Sequence, residues 1–250
     1  MVVYEGLNFI LDPVFSPLLR LGTASALLII TIILAFLMTV IYKYTTNQSL
    51  MKDLKDELKT FQKQMKELRS NPGEMMKVQK KAMETNMKYM MHSFRSTIFT
   101  FIPIILIFSW LHGNLAYLPI MPGEQFTTTM HFNDGVFGNV ELGIPDGLQL
   151  LSEKSLQIED NSAVWILKGD EGKYTLDYTL GEKIYSKEVL ITTEQAYEIP
   201  DKLIKKDPNV STISINNEKL KVFLGMGWFW TYIIFSIVFS MIFRKLFKVY

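Results

Sequence analysis

Residues 22–42 read GTASALLIITIILAFLMTVIY, a run with no Asp, Glu, Lys or Arg. A helix rises 1.5 Å per residue, so about 20 apolar residues cross a hydrocarbon core of ~30 Å. Two more stretches have the same character, residues 96–111 (STIFTFIPIILIFSWL) and 222–243 (VFLGMGWFWTYIIFSIVFSMIF). The middle run has only 16 residues, but the uncharged sequence continues to Gly123, so it too is long enough to span. The sequence predicts a membrane protein with three transmembrane helices.

Working outward from these runs, two polar segments remain. Residues 43–95 hold 12 Lys/Arg against 6 Asp/Glu, a net +6, whereas residues 113–221 hold 10 Lys against 17 Asp/Glu, a net −7. Basic residues collect on the cytosolic side of short membrane loops. Lys43 closes the first run, Lys88 and Arg95 precede the second, and Arg244, Lys245 and Lys248 follow the third. The expected topology is a multi-pass protein of the plasma membrane. The N-terminus and residues 113–221 lie outside, and residues 43–95 and the C-terminus are cytosolic. Cysteine is absent, which excludes disulfides, thiolate metal sites and cysteine nucleophiles.

The expected division of the chain is as follows. Residues 1–21 form an outer interfacial segment, broken by Asp12-Pro13 and Ser16-Pro17. Residues 22–43, 96–117 and 222–243 are the spans. Residues 44–95 are a cytosolic coiled-coil hairpin, residues 118–221 an outer β domain, and residues 244–250 a basic tail. In the hairpin, Met51, Leu54, Leu58, Phe61, Met65 and Leu68 recur at alternating steps of three and four, a heptad seam. Asn71-Pro72-Gly73 makes the turn. On the returning helix Met76, Met83, Met87, Met90 and Phe94 lie on one stripe, next to Met91. Two readings stay open for these methionines. They pack the coiled coil, or they offer a soft surface that captures varied apolar partners.

The outer segment alternates in the manner of strands at Phe126–Phe132 and Ala163–Leu167, and again at Tyr174, Leu176, Tyr178 and Leu180, followed by a turn and Ile184–Ile191. Asp170-Glu171-Gly172-Lys173-Tyr174-Thr175-Leu176 has the pattern of a tyrosine corner, with Leu176 where antibody domains carry cysteine and Trp165 as the core tryptophan. The expectation is an Ig-like β-sandwich without a disulfide.

No enzyme chemistry is legible. His92, His112 and His131 lack partners at metal-ligand spacing, no phosphate-binding glycine loop occurs, and no carboxylate lies within a span. No cofactor and no metal are expected. The spans do carry hydroxyls: Thr23, Ser25, Thr31 and Thr39 in the first, Ser96, Thr97, Thr100 and Ser109 in the second, Thr231, Ser236 and Ser240 in the third. Such hydroxyls either bond their own helix carbonyls and assist packing, or line a wet groove in the bilayer.

The whole pattern resembles the Oxa/Alb/YidC insertase superfamily, and is similar to the archaeal YidC-like membrane proteins and the third subunit of the eukaryotic ER membrane protein complex. The residues that carry the resemblance are Asp12-Pro13, Arg20, Asn71-Pro72-Gly73, Ile102-Pro103-Ile104-Ile105-Leu106-Ile107 with Trp110, Gly227-Trp228-Phe229-Trp230-Thr231-Tyr232 and Arg244-Lys245. It covers residues 8–120 and 222–250, and the β domain between the second and third spans is extra. The resemblance implies a non-enzymatic insertase that works without nucleotide through a hydrophilic groove in a thinned bilayer. Its partners would be nascent membrane proteins, a ribosome docked on the basic hairpin, the lipid bilayer, and other insertase or translocon subunits. The candidate groove set is Arg20, Thr23, Thr31, Thr97, Thr100, Ser109, Thr231, Ser236 and Ser240. Of these, Arg20 matches a basic residue of the family's first span. The candidate capture set is Met76, Met83, Met87, Met90 and Met91. The residues alone also admit a membrane-anchored surface receptor or envelope scaffold with an Ig-like ligand-binding domain.

Overall fold

The computed structural model describes residues 2–249, with the side chains of residues 2–10 and Arg95 set aside. The chain divides into two compact units, one helical (Met1–Trp110 and Phe229–Tyr250) and one rich in strands (Leu111–Trp228).

In the helical unit, α1 covers Val2–Leu19 and α2 covers Thr23–Thr45. The two meet at Gly22, whose φ of +93° is one that a side chain would strain. The α1 helix corrects the expected break at Asp12-Pro13 and Ser16-Pro17, since it runs through both prolines. Contacts of Asp12 and Phe15 with Trp110 hold the proline-containing segment as a helix. Inside α2 the buried residues Ala26, Leu27, Ile30, Thr31, Leu34, Ala35 and Thr39 recur at the helical period and form one packed face.

The hairpin consists of α3 (Gln48–Glu67), a 3₁₀ turn (Leu68–Ser70) and α4 (Pro72–Leu115). Asn47 caps α3 by accepting the Leu50 N–H at 3.2 Å. Asn71 does the same for Glu74 at 3.4 Å, and Pro72 takes the first helical position, where a missing N–H costs nothing. On α3, Met51 and Leu54 are buried and Leu58, Phe61, Met65 and Leu68 are half-buried, as a seam requires. On α4 the covered residues are Met75, Val78, Ala82, Thr85, Tyr89 and Ser93, while Met76, Met83, Met87, Met90, Met91 and Phe94 are all more than half exposed. The methionine stripe is therefore not the packing seam. The covered positions lie on another face of α4.

The α4 helix continues through Pro103 into the second apolar run. The last helix, α5, covers Trp228–Leu246. It starts after the beginning of the third apolar run because Leu224 and Gly225 take positive φ and close a turn in which the Val222 N–H donates to the Met226 carbonyl at 2.8 Å. Among the described residues three helices are long and apolar enough to cross a membrane: Thr23–Thr45, Ser96–Leu115 and Trp228–Leu246.

The other unit holds nine strands: β1 Phe126–Phe132, β2 Asn139–Gly143, β3 Leu148–Leu150, β4 Ser155–Gln157, β5 Ser162–Gly169, β6 Gly172–Leu180, β7 Lys183–Ile191, β8 Asp201–Leu203 and β9 Val210–Ile215. They form two antiparallel sheets, ordered β3-β5-β1-β9-β8 and β4-β2-β6-β7. A two-residue turn at Gly181-Glu182 joins β6 to β7, with Leu180 opposite Lys183. Both sheets contribute to a single core containing Met130, Trp165, Leu167, Ile213, Leu142, Leu176, Tyr178 and Val189. The Trp165 and Tyr178 rings meet edge-on at 5.6 Å across that core. Tyr174 donates to the Asp170 carbonyl at 3.1 Å, the bond that its sequence pattern predicts. Trp165 lies on β5, in the sheet opposite the one that carries Tyr174.

Candidate functional site

Contacts among α2, α4 and α5 tie the helical unit together. The Thr45 and Ser96 hydroxyls are 2.6 Å apart, and Tyr42 Oη is 3.3 Å from Ser93 Oγ. Phe36 packs edge-on against Phe243 and Phe247 at 5.7 Å, and Phe108 against Tyr232 at 4.7 Å. At the other end α1 is held to α4, because Trp110 Nε1 donates to Asp12 Oδ1 at 2.7 Å and the Trp110 ring packs on Phe15 at 5.3 Å. Asp12 of the Asp-Pro pair thus has a positioning role, while Pro13 leaves the helix intact.

A cavity of about 200 Å³ lies between the three apolar helices. Met38, Thr39 and Tyr42 line it from α2, Thr97, Thr100 and Ile104 from α4, and Ser240 and Arg244 from α5. Helical spacing explains the set, since Thr97, Thr100 and Ile104 are three and four apart, and Ser240 and Arg244 are four apart. The Arg244 guanidinium stacks over the Tyr42 ring at 4.9 Å, a cation–π pair that holds a charge in the cavity wall. Lys43 lies 5.8 Å from the Phe247 ring on the same flank. Tyr89, on the hairpin part of α4, has its hydroxyl raised by burial and by Tyr42, with Arg244 opposing the shift.

The structure brings Thr97, Thr100 and Ser240 of the candidate groove set together here. The other members lie elsewhere. Arg20 is exposed at the turn after α1, and Thr23 opens α2. Thr31 is fully buried and donates to the Leu27 carbonyl at 2.7 Å, and Ser236 donates to the Ile233 carbonyl at 2.9 Å. Ser109 is half-buried and Thr231 buried, and neither lines the cavity. Sequence reasoning missed Arg244 and Tyr42 as cavity residues. The available signal was that Arg244 stands four residues after Ser240 and so shares its face. Among the described residues no group of three His, Asp or Glu is placed to hold a metal ion.

Along α4, Met83, Met87, Met90, Phe94 and Thr97 follow one another at steps of four, three, four and three. The exposed methionine stripe and the cavity threonine therefore occupy one helix face. A family model described as integral membrane protein EMC3/TMCO1-like matches residues 8–135, just over half of the chain. The chain belongs to this family. The EMC3/TMCO1-like proteins are part of the Oxa1/YidC insertase superfamily, and family members are non-enzymatic insertases. The matched region runs from α1 through β1, so it contains the hairpin, the methionine face and the α2 and α4 walls of the cavity. No curated protein and no solved structure matches the chain.

Proposed function

We propose that this EMC3/TMCO1-like chain inserts nascent transmembrane segments into the bilayer, without nucleotide, through the α2–α4–α5 cavity. The observation that carries this reading is the single face of α4 on which exposed Met83, Met87, Met90 and Phe94 lead to Thr97 in a polar cavity among apolar helices. The stripe, flanked by Met76 and Met91, takes up an apolar client segment, since thioether side chains adapt to varied surfaces. The cavity hydroxyls and Arg244 lower the cost of carrying a polar flank through hydrocarbon. Burial of the client segment at about 25 cal/mol per Å² drives the step. Thr97, Thr100 and Ser240 are the working members of the groove set, and Arg244 supplies the cation in place of Arg20.

The charge asymmetry supports a plasma-membrane topology with residues 43–95 and the C-terminus cytosolic and the N-terminus and residues 113–221 outside. The chain then divides into an outer segment 1–21, spans 22–43, 96–117 and 222–243, hairpin 44–95, outer domain 118–221 and tail 244–250. A ribosome docks on the net +6 hairpin, and other insertase or translocon subunits complete the assembly. The Tyr174–Asp170 bond and the β2-β6-β7 sheet support an Ig-like outer domain, in which β9 pairs between β1 and β8 and Trp165 is a core residue of the facing sheet.

A photo-crosslinker placed singly at Met87, Thr97, Ser240 or Ile33 tests the path. Ile33 is an exposed residue outside the cavity. Ribosome-bound nascent membrane segments should be captured from the first three positions and much less from Ile33. Equal or absent capture at all four would remove the insertase path and favour the surface-receptor reading.

A further inference from the structure

The cavity threonines are not free alcohols. Thr39 donates to the Ala35 carbonyl at 2.7 Å, Thr97 to the Ser93 carbonyl at 3.3 Å and Thr100 to the Thr97 carbonyl at 2.9 Å. A hydroxyl has one proton and two lone pairs, so each of these oxygens is left to accept. Beside them stands Arg244, which among the described residues stacks on Tyr42 and forms no ion pair with a carboxylate. The cavity thus pairs one cation with a ring of acceptors. Its complement is a ligand that joins an anion to a hydrogen-bond donor.

Its position selects the source of that ligand. Arg244 and Lys245 lie in the last turn of α5 and Lys43 in the last turn of α2, where cationic side chains and tyrosines mark the headgroup level of a bilayer. The exposed neighbours on the same helices, Phe101 and Ile237, are apolar and suit acyl chains. The volume, about 200 Å³, is more than ten times the ~10–15 Å³ that one water needs.

The geometry points to a phospholipid site in which Arg244 holds the phosphate and the headgroup's own O–H or N–H groups donate to Thr39, Thr97 and Thr100. The inference rests on reading the cavity as a groove within the bilayer. It separates donor-bearing headgroups, such as phosphoglycerol and phosphoethanolamine, from phosphocholine, which has no N–H or O–H to donate. The held lipid fills the cavity until a client's polar flank displaces it.

Native mass spectrometry of the full-length protein in detergent, with equimolar phosphatidylglycerol and phosphatidylcholine, tests this. Phosphatidylglycerol should be retained in preference. Arg244→Gln should weaken its retention about tenfold to a hundredfold, the equivalent of a lost hydrogen bond to a charged group. Arg244→Lys should restore part of it. Lys245→Gln, exposed and outside the cavity, should stay within about threefold of the parent. If Arg244→Gln fails to fold, Thr97→Val serves instead. It keeps the shape, removes an acceptor, and should lower the preference for glycerol over choline about two- to tenfold. Equal retention of the two lipids, or full retention by Arg244→Gln, would overturn the site. So would displacement of the lipid by free glycerol phosphate at equal concentration, which would make the ligand a soluble phosphate. Client crosslinking at Thr97 reports separately. Normal capture without lipid selectivity sinks the lipid site and leaves the insertase reading standing, and lipid selectivity without capture does the reverse.

Discussion

Replacing Trp165 with alanine tests the strand-rich unit at its centre. The side chain is fully buried, meets the Tyr178 ring at 5.6 Å and donates from Nε1 to the Lys154 carbonyl at 3.2 Å. A buried tryptophan covers about 150–250 Å², worth roughly 4–6 kcal/mol at 25 cal/mol per Å². Measured core truncations of this kind cost about 3–5 kcal/mol because part of the cavity collapses. A domain of this size holds about 5–15 kcal/mol in all, so the variant should survive with much of its margin gone. Residues 116–221 are a suitable fragment because their ends already meet. The Leu118 N–H donates to the Glu218 carbonyl at 2.7 Å and the Leu220 N–H to the Ala116 carbonyl at 3.1 Å. In guanidinium, with a slope of roughly 2–4 kcal/mol per M, the midpoint should fall by about 1–2 M. A fall worth less than ~1 kcal/mol, or a parent fragment without a cooperative transition, would refute the shared core.

Two further outcomes follow from charge. Burial raises the Tyr197 hydroxyl from 10.0 to about 12. Between those values the unfolded phenol has lost its proton and the folded one has not. The stability it contributes is thus complete below pH 10 and lost as the pH rises to about 12, by at most ~2.7 kcal/mol. Denaturation of the longer fragment 111–228, which keeps His112 as the acceptor of the Tyr197 hydroxyl, should show that decline between pH 9 and about 12, and Tyr197→Phe should flatten it. For topology, a single cysteine at Lys63 should resist an impermeant thiol reagent in intact cells while one at Lys173 reacts. Labelling at Lys63 would reverse the orientation argued from the charges.

Much of the fold was legible in the sequence because local pattern carries it. Charge-free runs mark the three membrane helices, the three-four spacing from Met51 to Leu68 marks the covered face of α3, and two-residue alternation marks β1, β5, β6 and β7. Asn71-Pro72-Gly73 marks the hairpin's turn to within a few residues, with the chain reversing at Leu68–Asn71 and Pro72 opening α4, and Tyr174 bonds back to the Asp170 carbonyl. What the pattern hides is how each helix is rotated. On α4 the large methionines drew the eye to one stripe, whereas Val78, Ala82 and Thr85 are the residues that pack. The continuity of α1 through Pro13 and Pro17 was likewise hidden, because proline propensity says nothing of the Asp12 and Phe15 contacts with Trp110, far away in the chain.

The same division holds for the candidate site. Composition alone placed hydroxyls in every apolar run and a basic residue at one end of each. Only the tertiary structure sorted them, turning Thr97, Thr100 and Ser240 toward a common cavity, burying Thr31 against its own helix and bringing Arg244 over Tyr42. The physical reason is that a helix's sequence sets which residues share a face. Which face meets which neighbour depends instead on packing between helices far apart in the chain, here α2, α4 and α5, and no local period records it.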